Sequence, residues 1–312
     1  MSEYHTSVLL DESISALVTN PSGTYIDATF GGGGHTAGIL SRLNESGRVI
    51  AFDRDNDAIG NRLDDPRLTL VHNNFRFIRN YVMHDAHLRD EDPFGARVDG
   101  VLADLGVSSH QFDTAERGFS FRYDSPLDMR MDTGADVTAA DVVNSYETEE
   151  LERILKVYGE VENARRVAQL VVKARSIAPI ATTGDLDKAL EPVLPRFAEH
   201  KYLAKVYQAL RIEVNQEMRS LEKFLEGTAG SIREGGRLVV ITYHSLEDRM
   251  VKNFIRTGNV DGKEEKDVFG RLHTPFTAVN RKPILPCEEE IAANTRARSA
   301  KLRIAERNAD KE

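Results

Sequence analysis

Short apolar runs rich in β-branched residues alternate with helical stretches from residue 24 onward: TYIDATF at 24–30, RVIAFD at 48–53, LTLVH at 68–72 and VDGVLADL at 98–105. Such alternation predicts a parallel sheet with crossover helices. A fifth run, RLVVITYH at 237–244, arrives only after about 130 further residues, far more than a crossover needs. The intervening stretch has helical periodicity. Leu151, Ile154, Leu155 and Tyr158 share one face, and Ala164, Val167, Ala168 and Val171 share the next. A single long helix is predicted to carry Leu203, Val206, Tyr207, Leu210, Val214, Met218, Leu221 and Leu225 on its stripe. The pattern therefore predicts a discontinuous sheet domain at 1–113 and 215–312, interrupted by a helical domain at 114–214. A helix at about 246–256 and strands near 275–281 and 299–307 close the chain.

With 312 residues, 40% of them hydrophobic, the chain can bury a substantial core without covalent staples. The N-terminal MSEYHTSVLLDESISAL lacks a basic flank followed by an apolar run, and no segment approaches the length of a membrane span. A cytoplasmic protein with no membrane partner is expected. The single cysteine, Cys287, excludes an intrachain disulfide and any multi-cysteine metal site. A net charge of −9 disfavours a grip on nucleic acid over the whole surface, so any such site must be a local patch.

Chemistry concentrates where strands end. FGGGGH at 30–35 follows the first strand and opens a helix, a place where glycines let backbone approach a ligand. A dinucleotide fingerprint would need Gly31, Gly33 and a third glycine where Thr36 stands. Asp53 closes the second strand, where a carboxylate can accept both ribose hydroxyls of NAD or of S-adenosylmethionine. Phe75, past the third strand, can stack on an adenine or pack in the core. Asp104 ends the fourth strand beside the switch point of the sheet, so it and the loop through Gln111 are expected to face ligand. An acid between Leu102 and Leu105 is costly to hold unpaired. In YHSLED at 243–248, Ser245 and Asp248 match a capping box, leaving His244 as a separate candidate for touching substrate.

Taken together, YHTSVLLDE at 4–12, YIDATFGGGGH at 25–35, DLGVSS at 104–109, ERGFSFRYDSPLDMRMD at 116–132, HSLEDR at 244–249 and RARSAKLRIAER at 296–307 resemble the ribosomal RNA small-subunit methyltransferase H family. The resemblance runs from near one end of the chain to near the other. It implies an α/β, Rossmann-like methyltransferase sheet with an inserted helical substrate-recognition domain. It also implies S-adenosyl-L-methionine as cofactor and the exocyclic amine of a decoding-site cytosine in bacterial small-subunit ribosomal RNA as acceptor. Its cofactor contacts carry over to Gly33, Gly34, His35, Asp53, Phe75, Asp104 and Gln111. The chain departs from the family at Gly32, where Arg is common, at His110 and Thr295, where Pro is common, and at Ser125, where Gly is common.

Transfer from a sulfonium is a direct displacement, which needs alignment and exclusion of water; no metal is expected. The amine's lone pair is conjugated into the ring, so an acceptor of its protons is needed. Asp104 is the candidate catalytic group, with backbone carbonyls of the Asp104 to Ser108 loop as the alternative. Arg165, Arg166, Gln169 and Lys173 form a polar helix face in the insertion, and Arg296, Arg298, Lys301 and Arg303 gather near the last strand. Either can contact phosphate or simply be solvated. Phe119 and Phe121 can stack on a base or fill the core. Low positive charge fits an acceptor presented by an assembled ribosomal particle. The rival classes are an NAD-dependent oxidoreductase and a non-catalytic RNA-binding assembly factor.

Methylation at ring carbon 5 of cytosine would require a cysteine nucleophile, and Cys287, in PCEEE, lies beyond the strands whose ends build the site. Cys287→Ala is therefore expected to keep essentially full methylation activity. Loss of activity in a folded Cys287→Ala protein, measured by methyl incorporation, would overturn transfer to nitrogen.

Overall fold

The computed structural model describes residues 7–91 and 97–309. Residues 4–6 of the first motif lie outside them. Seven strands, β1 (Thr24–Asp27), β2 (Arg48–Asp53), β3 (Leu68–His72), β4 (Val98–Asp104), β5 (Ile232–Thr242), β6 (Phe276–Ala278) and β7 (Lys301–Arg307), form one sheet. Their order is β3-β2-β1-β4-β5-β7-β6. β1 to β5 are parallel; β7 is antiparallel to both β5 and β6. This is the α/β, Rossmann-like class with a reversed closing pair. β1 and β4, central and covered on both faces, are almost continuously buried, as parallel strands require. The strand order reverses between β1 and β4, so the carboxyl ends of β1, β2 and β4 share the crevice where such sheets place ligands.

Each face of the sheet has its own apolar layer. Ile26, Phe52, Val101, Phe224, Val240 and Phe254 belong to one, and Tyr25, Ile39, Val49, Leu102, Val239 and Ile304 to the other. The opposite membership of neighbours such as Tyr25 and Ile26 is the two-residue alternation of a strand.

The chain divides into two compact units, residues 1–106 with 218–312, and residues 107–217. The second is helical, with Thr148–Val157, Ala164–Arg175, Thr183–Leu190 and Glu199–Asn215 as its larger helices. Leu151, Ile154, Ala164, Val167, Val171, Leu203, Val206 and Leu210 lie in its own core. Val107 and Phe112 pack against that core, so the helical unit begins seven residues before the 114 expected from pattern alone.

The single long helix expected through Leu225 is two helices, Glu199–Asn215 and Glu217–Ser231. Gln216 between them is left-handed at φ 48°, a conformation that cannot continue a right-handed helix. The residues around the break are committed to local partners. Asn215 accepts from Met131 N (2.8 Å) and donates to Met129 O (2.7 Å), while Arg211 pairs with Glu217 at 2.8 and 3.0 Å. Apolar periodicity carries across such a break because it records burial and not φ. Among the described residues no helix is long and apolar enough to cross a membrane.

Candidate active site

The site is assembled from the carboxyl ends of β1, β2, β4 and β5. β1 ends in Asp27, which has no exposed surface. Its carboxylate accepts Thr36 Oγ1 at 2.7 Å and Thr29 N at 3.1 Å, tying the strand to the helix Gly34–Arg42 that follows the glycines. Burial raises its pKa, and the two hydrogen bonds oppose that shift. Between strand and helix, Gly33 stands at φ 78° as the residue before the first helical turn. A side chain there would be left-handed and its Cβ would lie 3.1 Å from the Phe30 ring.

Asp53 holds the same loop from the neighbouring strand. One oxygen accepts Gly31 N at 2.8 Å and the other accepts Asp55 N at 2.9 Å. Burial raises its pKa as well. A carboxylate offers about four lone-pair positions, so these two amides leave acceptor capacity for hydroxyl donors.

Asp104 ends β4 with its side chain 23% exposed. Tyr243 Oη donates to Oδ1 at 2.7 Å, and His35 Nδ1 lies 3.7 Å from Oδ2. His35 itself is buried, with Nε2 3.1 Å from Val8 O. Burial pushes the Asp104 carboxyl up to about 6, and the neighbouring Asp27 and Glu247 add to the shift; His35 and the Tyr243 hydroxyl oppose it. His35, Asp53 and Asp104, which the sequence singled out, stand with Gly33 and Gly34 at the carboxyl ends of β1, β2 and β4 or in the loop and helix that follow β1. Phe75 opens a short 3₁₀ turn after β3 and packs edge-on against Phe224, ring centres 5.2 Å apart. Gln111 belongs to the helical unit. Its side-chain oxygen accepts Ser108 N (3.1 Å) and its amide donates to Ser108 Oγ (3.2 Å), closing a capping box on the helix Ser109–Asp113.

The cap after β5 differs from the expected one. The helix Ser245–Thr257 is capped by His244, whose Nδ1 accepts Glu247 N at 3.4 Å, while Glu247 reaches back to the amides of Tyr243 (2.9 Å) and His244 (3.4 Å). Ser245 is already inside the first turn. Asp248 is spent on Arg303 at 2.7 Å and Lys301 at 3.4 Å. That pairing engages two of the four basic residues near the last strand, Arg303 more closely than the more exposed Lys301.

Three residues near the site escaped sequence reasoning. Asp27 carried the signal of an acid inside an apolar strand, the argument applied to Asp104. Tyr243 stood in a motif read only for its His and Ser. Glu290, which accepts Leu9 N at 2.7 Å, lies 281 residues from its partner, a separation no local pattern reveals. Phe119 is buried in the helical unit's core, and Phe121 packs edge-on against Tyr207 at 5.3 Å. Cys287 is exposed.

The profile of the MraW methylase family matches residues 2–308. The chain belongs to the MraW methylase family. Over 305 residues it is 55% identical to the Ribosomal RNA small subunit methyltransferase H of Bacteroides fragilis strain YCH46, covering 97% of each chain. It is 54% identical to the protein of the same name from Bacteroides thetaiotaomicron, with the same coverage. Among solved structures, an rRNA methylase from Streptococcus thermophilus aligns over 99% of both chains at 13% identity and a TM-score of 0.42, a likeness too distant to add to the argument.

In this methylase the left-handed turn at Gly33 makes a specific prediction. Gly33→Ala is expected to lower the unfolding free energy by about 1–2 kcal/mol, the cost of a left-handed non-glycine residue. Gly32→Ala, at an exposed position without positive φ, is expected to stay within about 0.5 kcal/mol. Denaturant unfolding of the two proteins checks both, and equal stability would remove the constraint from Gly33.

Proposed function

We propose that this methylase transfers a methyl group from S-adenosyl-L-methionine to the exocyclic 4-amino group of a cytidine in the decoding region of bacterial small-subunit ribosomal RNA, with the RNA presented in an assembled particle. The carrying observation is the meeting of Asp53, Asp104 and the turn at Gly33 at adjacent strand ends. The relatives at 54–55% identity bear names that state a ribosomal RNA small-subunit methyltransferase.

The residues fit an adenosyl cofactor. Asp53 retains acceptor capacity for two ribose hydroxyls while its bonds to Gly31 N and Asp55 N keep it from turning away. Gly33, Gly34 and His35 bring backbone to the cofactor's edge, and Phe75 offers an apolar surface to the adenine. The bound cofactor supplies an electrophilic methyl on a cationic sulfur. Asp104, when ionised, accepts hydrogen bonds from the acceptor amine, localising its lone pair and taking up the positive charge that grows on nitrogen. No cysteine nucleophile is required by that chemistry.

For the RNA, the helical unit offers Arg165, Arg166, Gln169 and Lys173, all exposed on the helix Ala164–Arg175. Arg165, Arg166 and Gln169 line a shallow cavity of about 360 Å³ shared with Lys156, Glu152 and Glu162. A local patch of this size suits a chain of net charge −9 better than wrapping of a free strand.

The direct test incubates the protein and labelled cofactor with small ribosomal subunits from cells lacking it, beside the same RNA stripped of protein. Nucleoside mass spectrometry is expected to show 4-amino-methylated cytidine, more on particles than on free RNA. A 5-methylcytidine product, or no transfer to either, would sink the assignment. Asp53→Ala is expected to weaken S-adenosylhomocysteine binding by about 1.5–3 kcal/mol, the worth of a charged hydrogen-bond acceptor. Calorimetry measures it, and an unchanged affinity in the folded variant would count against ribose contact.

A further inference from the structure

We propose that Tyr243 is a positioning residue for the transfer reaction, its hydroxyl holding the Asp104 carboxylate in place and keeping it an acceptor for the substrate amine. This rests on the reading of Asp104 as the group that faces that amine. The geometry is local to the sheet unit. β4 and β5 are adjacent and parallel with Asp104 opposite Ile241, so a side chain two residues beyond Ile241 can reach back across the strand ends. Tyr243 Oη does so, at 2.7 Å from Oδ1.

The ring has little freedom. Its own amide is held by Glu247 Oε2 at 2.9 Å, and the next amide, that of His244, by the same oxygen at 3.4 Å. Gly106, two residues after Asp104, lies against the ring; a Cβ there would be 3.2 Å from Tyr243 Cδ2, and its φ of +100° suits glycine. Asp104 is also fixed through its backbone, whose amide donates to Thr29 Oγ1 at 2.7 Å. The carboxylate is thus held at the main chain and on one oxygen, with His35 near the other.

The titratable groups facing Asp104 come from each neighbouring element. Asp27 ends β1, His35 opens the helix after the glycines, Tyr243 follows β5, and Glu247 stands in the helix after it. Burial and the two acids favour the protonated form of Asp104; His35 and the tyrosine hydroxyl favour the anion. A protonated Asp104 presents a donor to the amine on one oxygen and loses its ability to take up charge. Tyr243 is itself held far above the ordinary tyrosine range by burial and by Asp104, so it remains a donor wherever the enzyme works. Removing its hydroxyl raises the Asp104 pKa, and the sign of the effect is a loss of activity concentrated at low pH.

The test compares pH profiles of kcat and kcat/KM for the parent, Tyr243→Phe and Asp104→Asn on small ribosomal subunits. Tyr243→Phe is expected to move the acid limb upward by about one pH unit, the scale of a lost hydrogen bond to a carboxylate. Its deficit is then about tenfold on the acid limb and shrinks toward the parent rate at high pH. Asp104→Asn is expected to lose activity at every pH. A uniform loss across pH in Tyr243→Phe, with Asp104→Asn inactive, overturns the positioning role alone. Parental activity in Asp104→Asn overturns the reading beneath it. Should Tyr243→Phe be too unstable for turnover, carboxyl carbon titration by NMR at lower temperature decides the matter. An upward shift of the Asp104 resonance midpoint supports the proposal, and an unmoved midpoint sinks it.

Discussion

Asp27 ends β1 with no exposed surface, and an ionisable group that deep is tolerated only if its oxygens are occupied. Thr36 Oγ1 and Thr29 N occupy them. Because Thr36 lies in the first turns of the helix Gly34–Arg42, the contact closes the glycine loop from beneath. Much of the site inherits its position from that closure. Thr29 Oγ1 accepts the Asp104 amide, His35 is the neighbour of Thr36 and reaches toward Asp104, and Gly31 N is left facing Asp53. One buried carboxylate therefore sets the spacing between three strand ends.

The helical unit follows a different logic. Much of the longest motif of the resemblance, at 116–132, is scaffold. Arg117 is buried and donates to Arg130 O at 2.9 Å and Met131 O at 3.0 Å. Asp128 and Arg130 form a two-point pair, with separations of 2.9 and 2.7 Å. Leu127, Met129 and Met131 enter the core. Met129 takes a positive φ of 61°, and its carbonyl is held by Asn215. Loops that are buried must find a partner for each backbone polar group, which here calls on particular side chains as strictly as chemistry would.

This explains what was legible in the sequence. Strand positions and the interruption between β4 and β5 could be read because burial leaves a period in the chain. The position of Asp53 and Asp104 at strand ends could be read because each closes an apolar run. The break at Gln216 could not, since a left-handed residue in mid-stripe changes no periodicity. The cap could not either. His244 and Ser245 are adjacent, each followed three residues later by an acid, and the pairing of Asp248 with Arg303, 55 residues away, decides between them. Domain limits read as 114 and 214 missed Val107 and Phe112, whose contacts with the helical core are not visible in the local pattern.

The electrostatics of the strand ends bear on which ligand they suit. Asp27 and Glu247 both act on Asp104, and the one potential cation among the groups that shift it is His35. Gly31 N, which a phosphate-binding loop would offer to an anion, is already given to Asp53. A pyrophosphate would meet like charge with the Gly31 donor in use, a poor match for a dinucleotide. A cationic sulfur gains from the same field. Its charge is discharged as the methyl leaves, so carboxylates that hold the donor would stabilise the ground state and slow the step if they did nothing more. Asp104 avoids that penalty if it faces the amine, because positive charge then moves toward it during transfer instead of vanishing from its vicinity.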